Sequence, residues 1–175
     1  MYLTKLPSPV GTLHLASDGD NITGLWIEGQ KYFAATLGPD VERQDSLPVF
    51  RQAEAWLNAY FAGKPLPARP PLAPKGSPFR QAVWKLLLDI PQGQTTTYGA
   101  LSEKLWEQGI PAAPQAVGGA VGHNPVSILI PCHRCVGGNG SLTGYAGGIA
   151  VKRYLLELEG VDMAGLFMPK RGTAL

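Results

Sequence analysis

Residues 114–134 read PQAVGGAVGHNPVSILIPCHR and contain the most informative sequence pattern of the chain. Its first nine residues are mostly alanine, valine and glycine after a starting proline, and they predict a short helix that ends before Asn124 and its following proline. Residues 126–130 form a short apolar run that predicts a buried strand. The run leads directly into Pro131 and Cys132. A small-residue helix, a strand and a cysteine are therefore expected in immediate succession.

Another short helix is predicted just before this stretch. The spacing of Leu101 and Leu105 indicates a helix from about Tyr98 to Trp106, and a loop over 107–113 separates it from the next helix. Two short helices joined by a turn that contains glycine resemble a helix-turn-helix. Small residues in the second helix allow close approach to a flat surface, although tight packing against another helix is the commoner reason for them.

The N-terminal half predicts a small antiparallel sheet and one helix. Leu13 and Leu15 alternate with polar residues, a turn follows at 18–21, and residues 25–27 continue a second strand. Residues 2–6 predict one more strand. Apolar residues at helical spacing predict a helix over about 48–62, with Ser46 as its cap.

Proline marks the boundary between two predicted domains. Six prolines fall between Pro65 and Pro78, a density that excludes helix and central strand and indicates a linker. Beyond it, Ser77 precedes a helix, and a last helix is expected at about 149–158, with Val151, Leu155 and Leu158 facing inward. The fold class is α+β, with an N-terminal sheet and helix domain at 1–66, a linker at 67–76, a mostly helical domain at 77–165 and a tail at 166–175.

Composition and charge limit the classes of function. The chain has 175 residues, of which 45 % are apolar and 16 % charged, as in a globular protein. The net charge is −1 over residues 1–74 and +3 over residues 75–175, so the C-terminal part is the better candidate for an anionic partner. No secretory signal and no apolar run of membrane-spanning length is present, which predicts a cytoplasmic protein with no membrane partner.

Cys132 is the candidate reactive residue. His133 and Arg134 follow it directly, and positive or hydrogen-bonding neighbours favour the nucleophilic thiolate. A buried structural cysteine is the commoner alternative. The Cys132-x-x-Cys135 spacing also permits a redox site, although such a site normally opens a helix, or half of a zinc site, although no further cysteine exists to complete it.

Several motifs around Pro131-Cys132-His133-Arg134 point to one family. AVGGA at 116–120, Asn124-Pro125 and GYAGG at 144–148, in this order and spacing, resemble the active-site half of the O6-alkylguanine-DNA alkyltransferases, also called methylated-DNA–protein-cysteine methyltransferases. The resemblance covers about residues 77–160, and SPVGTL at 8–13 is similar to the family's opening strand. It implies repair of DNA by irreversible transfer of an O6-alkyl group from guanine to Cys132, once per molecule, with no cofactor and no metal.

The resemblance also implies roles for residues around the reacting atoms. Cys132 accepts the alkyl group, while His133 acts through a water as the base that forms the thiolate. Glu159 orients His133, Asn124 ties the helix-turn-helix to the active-site segment, and Tyr98 donates towards N3 of the leaving guanine. Arg134 is expected to make structural hydrogen bonds.

Further residues are implied in binding the flipped base and the DNA. Tyr145 forms a pocket wall, the Ala146 N–H faces O6, and the carbonyls of Cys132 and Cys135 accept from the exocyclic amine. Gln115 fills the space that the flipped base leaves. The partner is double-stranded DNA containing O6-alkylguanine, bound by a monomer through the minor groove, with close approach at Ala116, Gly118, Gly119 and Ala120.

Three positions depart from the family pattern. Family members commonly carry arginine where this chain has Gln115, so charge and a stacking plane are missing there. This departure puts the efficiency of base flipping in doubt and leaves the transfer chemistry intact. Ala146 replaces a serine found in some relatives, and Cys135 stands where an aliphatic residue is common.

Three rival functions remain to be distinguished. A related lesion-binding protein without enzymatic activity would lack the reactive cysteine, which is present here. A helix-turn-helix regulator that senses alkylation would need extra domains, for which this chain has no room. A thiol oxidoreductase would require Cys135, whereas an alkyltransferase would keep its activity after Cys135→Ser.

Overall fold

The structure is a computed structural model that describes residues 1–170. The chain divides into two compact units. The first comprises Met1–Lys75 and the short segment Pro125–Leu129, and the second comprises Gly76–Asn124 and the chain from Ile130 onward. The domain boundaries drawn from the sequence, with a linker at 67–76 and a tail at 166–175, stay a prediction. Residues 171–175 of that tail lie outside the described residues.

The first unit is built on a four-stranded sheet. Its strands are β1 (Tyr2–Leu6), β2 (Leu13–Ser17), β3 (Ile22–Ile27) and β4 (Glu42–Arg43), in the spatial order β3-β2-β1-β4. The predicted hairpin is β2–β3, and β1 adds to it in the antiparallel sense. The sheet is mixed where an antiparallel one was expected, because the short β4 returns to pair parallel with β1.

Helix α1 (Pro48–Phe61) covers this sheet and agrees with the predicted helix. Its apolar stripe is buried as expected, with Ala53 and Trp56 among the core residues. The predicted cap is wrong: Leu47 occupies the N-cap position and makes no side-chain cap hydrogen bond, while the Ser46 hydroxyl donates to Gln44 instead. The proline at the first helical position suits the start of the helix, because its φ is fixed near the helical value and it has no N–H that would lack a partner there.

Residues 126–130 are buried, but they do not form the predicted strand. Leu25 of β3 hydrogen-bonds to Pro125 and Ser127 on either side of Val126, and the chain then turns at once. Ile128 takes a φ of +69°, which a β-branched residue rarely adopts and which ends any extended pairing. Burial of an apolar run is common to strands and buried turns, so the composition did not separate them.

The second unit is mostly helical, which together with the sheet of the first confirms the predicted two-domain α+β class. Its helices are α2 (Pro78–Leu88), α3 (Tyr98–Glu107), α4 (Pro114–Gly122) and α5 (Ile149–Leu158), and a 3-10 turn lies at Cys132–Arg134. A short parallel pair joins β5 (Thr96–Thr97) to β6 (Cys135–Val136). The predicted cap of α2 is confirmed, because the Ser77 hydroxyl accepts from the Arg80 N–H.

Helices α2, α3 and α4 pack together and define the position of the helix-turn-helix. The buried Trp84 of α2 donates its indole N–H to the Ala120 carbonyl of α4 over 2.8 Å. Leu101 and Leu105 of α3 are fully buried, as predicted. The small residues of α4 thus serve helix packing on one face, and the opposite face stays exposed.

Among the helices of residues 1–170, none is both long enough and apolar enough to cross a membrane.

Candidate active site

Cys132 begins the 3-10 turn that follows Pro131. The turn is closed by backbone hydrogen bonds, since the Cys132 N–H donates to Ile130 and the Cys135 N–H donates to the Cys132 carbonyl. From the end of α4, the Asn124 side chain donates to the Ile130 carbonyl over 2.9 Å. The thiol is therefore held in one place by the backbone around it, and only 5 % of the residue is exposed.

The groups around the Cys132 thiol shift its pKa in opposite directions. Burial raises the pKa of Cys132, while a hydrogen bond from Asn124, the charge of Lys152 and nearby backbone N–H groups lower it. Burial has the larger effect, so the pKa lies above its usual value and the resting sulfur is a thiol. A base is then needed before this sulfur can act as a nucleophile.

His133, Glu159 and Arg134 form a buried charged cluster behind the cysteine. The carboxylate of Glu159 accepts from His133 Nε2 at 2.5 Å and from Arg134 Nε at 2.7 Å. Arg134 also donates to the Ile90 carbonyl, which is the structural role predicted for it. Burial alone would raise the pKa of Glu159, but the hydrogen bond from His133 and the hydrogen bond and charge of Arg134 outweigh it and lower this pKa to about 2.

This cluster determines the protonation of His133. Burial lowers the pKa of His133, although its hydrogen bond to Glu159 acts in the opposite direction, so the imidazole is neutral near pH 7. Because the ionised Glu159 can only accept, the ring proton lies on Nε2 and Nδ1 carries a lone pair. Nδ1 is buried and has no hydrogen-bond partner among the described residues. A buried, unpaired and basic nitrogen is thus directly available for a proton.

Lys152 is a functional candidate that the sequence analysis missed. It is fully buried on α5, where its ammonium donates to the Cys135 carbonyl at 2.5 Å and to the Thr143 carbonyl at 2.8 Å. Burial lowers the pKa of Lys152 to about 8, while negative charge on either cysteine would raise it. The inward face of α5 carries Lys152, Leu155 and Leu156, whereas the predicted Val151 and Leu158 are only half-buried.

Two tyrosines lie near the turn that carries Cys132: Tyr98 contacts Thr143, and Tyr145 contacts His133. The Tyr98 hydroxyl, at the start of α3, donates to the Thr143 carbonyl over 2.9 Å. Burial raises the pKa of Tyr98, so its hydroxyl stays protonated and can donate. A Cβ on Gly144, whose φ is +83°, would come within 2.6 Å of this hydroxyl. Tyr145 is buried, its ring stands edge-on to His133 at 6.4 Å, and its hydroxyl has no partner among residues 1–170.

The predicted DNA-binding residues of α4 fall on different faces. Gln115, Ala116 and Gly119 are exposed, whereas Gly118 is half-buried and its Cα faces the ring of Tyr98. Ala120 is buried under α2, so its side chain is not available to DNA in this structure. Ala146 is half-buried in the loop that follows Tyr145.

Cys135 is buried next to Lys152. Both cysteines are free and buried, and burial raises the pKa of Cys135 to about 12, against the opposing charge of Lys152. Within the part of the chain that the structure describes, no three histidine, cysteine, aspartate or glutamate side chains are grouped closely enough to hold a metal ion. The Cys135 carbonyl accepts a hydrogen bond from Lys152.

Comparison with known proteins assigns the chain to a family. The model for the 6-O-methylguanine DNA methyltransferase DNA-binding domain matches residues 78–161, and the model for the ribonuclease-like domain of the same enzymes matches residues 1–74. The chain belongs to the 6-O-methylguanine DNA methyltransferase family. The resemblance inferred from the motifs is therefore confirmed.

Individual members of this family are similar over most of their length. A methylated-DNA–protein-cysteine methyltransferase of Haemophilus influenzae is 44 % identical over 160 residues, which cover 91 % of this chain and 86 % of the relative. One from Mycobacterium bovis is also 44 % identical, over 91 % of this chain and 92 % of its own. The crystal structure of Mycobacterium tuberculosis OGT in complex with DNA superposes with a TM-score of 0.80 at 42 % identity, covering 91 % of this chain and 93 % of that chain.

Proposed function

We propose that this methyltransferase family member repairs DNA by direct reversal, moving the O6-alkyl group of a guanine onto Sγ of Cys132. The observation that carries the proposal is the pairing of a rigidly held thiol with a neutral histidine at the next position, whose Nδ1 is buried and unpaired. Such a nitrogen gives the thiol proton a destination inside the protein.

The first step is loss of the thiol proton. A water between Cys132 and His133 Nδ1 passes the proton to the imidazole, and the ionised Glu159 stabilises the imidazolium that results. The Asn124 side chain and the Lys152 ammonium stabilise the thiolate as it forms, because both lower the pKa of Cys132. The Cys132 thiol and the neutral His133 imidazole thus become a thiolate and an imidazolium, and no group leaves the site.

The second step is a direct displacement at the alkyl carbon. The Sγ–C bond forms as the O6–C bond breaks, and the bonding electrons move onto the guanine. Tyr98 turns its one hydroxyl proton from the Thr143 carbonyl, which keeps its hydrogen bond from Lys152, to N3 of this base as negative charge develops. This task suits a hydroxyl whose pKa is raised. The guanine leaves with a proton equivalent to the one the thiol lost. The thioether on Cys132 has no ready route to hydrolysis, so each molecule reacts once and no cofactor takes part.

Recognition of guanine uses backbone groups next to the thiol. The carbonyls of Cys132 and Cys135 accept from the exocyclic amine, and the Ala146 N–H donates to O6, while Tyr145 forms one wall. The Cys135 carbonyl already accepts from Lys152, which leaves its second lone pair for the base and holds it in place. An adenine would present its own amino group to the Ala146 N–H and would be rejected.

DNA binding is assigned to α4 of the helix-turn-helix. The target guanine is buried in the duplex and must flip out to reach Cys132, so the protein has to approach the stack closely. The exposed face with Gln115, Ala116 and Gly119 has small residues that suit the minor groove, and Gly118 contributes at its edge. We leave Ala120 out of this surface because it is buried. The protein acts as a monomer in the cytoplasm, where thiols remain reduced.

The experiment that tests the proposal is intact-protein mass spectrometry after incubation with duplex DNA that contains O6-methylguanine. The unmodified sequence should gain the mass of one methylene unit, which is the net change when a thiol proton is replaced by methyl. Cys132→Ser should gain nothing, and the matched variant Cys135→Ser should gain the same mass as the parent. Lesion binding without any mass gain would instead indicate a damage-recognition protein, and a requirement for Cys135 would indicate a thiol oxidoreductase.

A further inference from the structure

Trp106 differs from the three other tryptophans of the chain. Trp26, Trp56 and Trp84 are between 1 % and 4 % exposed, whereas Trp106 is 61 % exposed. Leaving so large an aromatic surface in water forgoes the stabilisation that burial would provide, and exposed tryptophans are enriched at binding surfaces. Within the segment from Tyr98 to Gly122, which forms the helix-turn-helix, it is the one large apolar side chain that is exposed.

The indole of Trp106 is held in position and is not a loose side chain. Its N–H donates over 3.2 Å to the carbonyl of Ala112, in the loop that leads into α4. The same carbonyl accepts from the buried hydroxyl of Ser102. Two side chains of α3, Ser102 and Trp106, thus anchor the loop at Ala112. Ala112 lies two residues before Pro114, where α4 begins. The ring is therefore tied to the approach to α4 while most of its surface faces solvent.

The exposed face of α4 lacks a group that can stack. Gln115, Ala116 and Gly119 offer neither an aromatic ring nor a guanidinium plane. A protein that draws a base out of the duplex has to compensate for lost stacking, and aromatic side chains do so with little regard to sequence. Among the exposed side chains of the helix-turn-helix, Trp106 has the one aromatic ring that can stack.

We propose that Trp106 is a DNA-binding residue that packs the face of its indole against an exposed nucleobase or deoxyribose near the lesion. The inference rests on the proposed function. The exposed charged residues of α3 are Glu103, Lys104 and Glu107, which together carry more negative than positive charge. Contact at this point is therefore apolar stacking and not phosphate neutralisation, and it contributes little to the dependence of affinity on salt.

The first test uses the fluorescence of the chain, since Trp106 is its one tryptophan open to solvent. Cys132→Ser is used to hold the unreacted complex, and acrylamide is the quencher because it is neutral and is not repelled by DNA. Binding of duplex with O6-methylguanine should reduce the quenching of tryptophan fluorescence by acrylamide. The double variant Cys132→Ser, Trp106→Phe should show no such reduction. Unchanged quenching on a saturated complex would overturn the proposal.

The second test measures affinity and rate. Trp106→Ala should raise the Kd for lesion duplex by about tenfold, in line with the loss of one stacking contact, and Trp106→Phe should restore most of it. Tyr154→Ala, which removes another exposed aromatic from the same unit, serves as the control and should bind normally. An affinity for Trp106→Ala equal to that of the parent would contradict the inference.

A third measurement separates this inference from the proposed function. Reaction with O6-methylguanine supplied as a free base does not require DNA binding. Trp106→Ala should therefore be methylated at the parent rate by the free base and more slowly by dilute duplex. If Trp106→Ala loses both reactions equally, the residue supports the fold of the site and the inference fails. If the parent protein gains no methyl from either substrate, the proposed function itself fails.

Discussion

Glu159, the residue after helix α5, accepts a 2.5 Å hydrogen bond from Nε2 of His133, the residue after Cys132. This contact assigns the imidazole proton to Nε2 and leaves Nδ1 as the base. Arg134 holds the other carboxylate oxygen of Glu159, so the acceptor stays ionised. The proposed chemistry depends on this arrangement more than on any other.

Replacing Glu159 by glutamine should slow methyl transfer. An uncharged amide stabilises the developing imidazolium less than a carboxylate does, so the single-turnover rate should fall by about a hundredfold, within the range usual for general-base catalysis. The control is Glu157→Gln, which alters an exposed carboxylate paired with Arg153 on the same helix and should leave the rate unchanged. Equal rates for both variants and the parent would show that Glu159 has no part in the reaction.

The same carboxylate should make stability depend on acid pH. Its pKa falls from 4.5 to about 2 on folding, so its contribution is fully present above pH 4.5 and is lost as the pH falls towards 2. We expect this contribution to be on the order of 3 kcal/mol. It is measured as the difference between the urea unfolding free energies of the parent and Glu159→Gln across this range. A difference that does not shrink on acidification would contradict the assignment.

Lys152→Met should weaken the nucleophile. The ammonium lowers the pKa of Cys132, so its removal should raise that pKa further and slow transfer at neutral pH. The Thr143 carbonyl keeps its hydrogen bond from Tyr98, which limits the structural damage. Thiolate absorbance as a function of pH, with Cys132→Ser as the blank, measures the shift. Arg153→Met removes an exposed charge one position away and should change nothing; an unchanged Cys132 pKa in Lys152→Met would refute the electrostatic role.

Gln115→Arg should improve reaction with duplex DNA specifically. An arginine at this exposed position on the first turn of α4 adds positive charge and a plane that can occupy the space of the flipped base. The rate with dilute lesion duplex should rise, while the rate with O6-methylguanine as a free base should not. Gln115→Ala should have the opposite effect on duplex. A rate increase of the same size for both substrates would place the effect at the reaction centre.

The bounds of α4 and α5 were predicted from the sequence, because a proline and a glycine mark the ends of α4 and glycines flank α5. The sequence did not predict the turns at 126–130, since an apolar run looks alike in a buried strand and a buried turn. It also missed Lys152, because a lysine is normally exposed. Its spacing of three and four residues from Ile149 and Leu156 was the available signal, since all three share the buried face of α5.

The packing of α4 shows a second reason why some site residues were not predicted correctly from the sequence. Ala116, Gly118, Gly119 and Ala120 are alike as small residues, and only the packing of α2 and α3 decides which of them reach the surface. The indole N–H of Trp84 fixes that choice by bonding to the carbonyl of Ala120. Contacts between distant segments of this kind are not contained in local periodicity. Cys132, His133 and Arg134, in contrast, lie together because they belong to the same 3-10 turn.

The most direct test of the central claim is the endpoint of the reaction when methylated duplex is in excess. Trypsin cleaves after Arg134, so Cys132 lies on the peptide 105–134 and Cys135 on the peptide 135–152. We expect demethylation to stop at one methyl per protein molecule, and this methyl to be found on Cys132 in the first peptide. Continued turnover beyond one equivalent, or a methyl group on the second peptide, would contradict it.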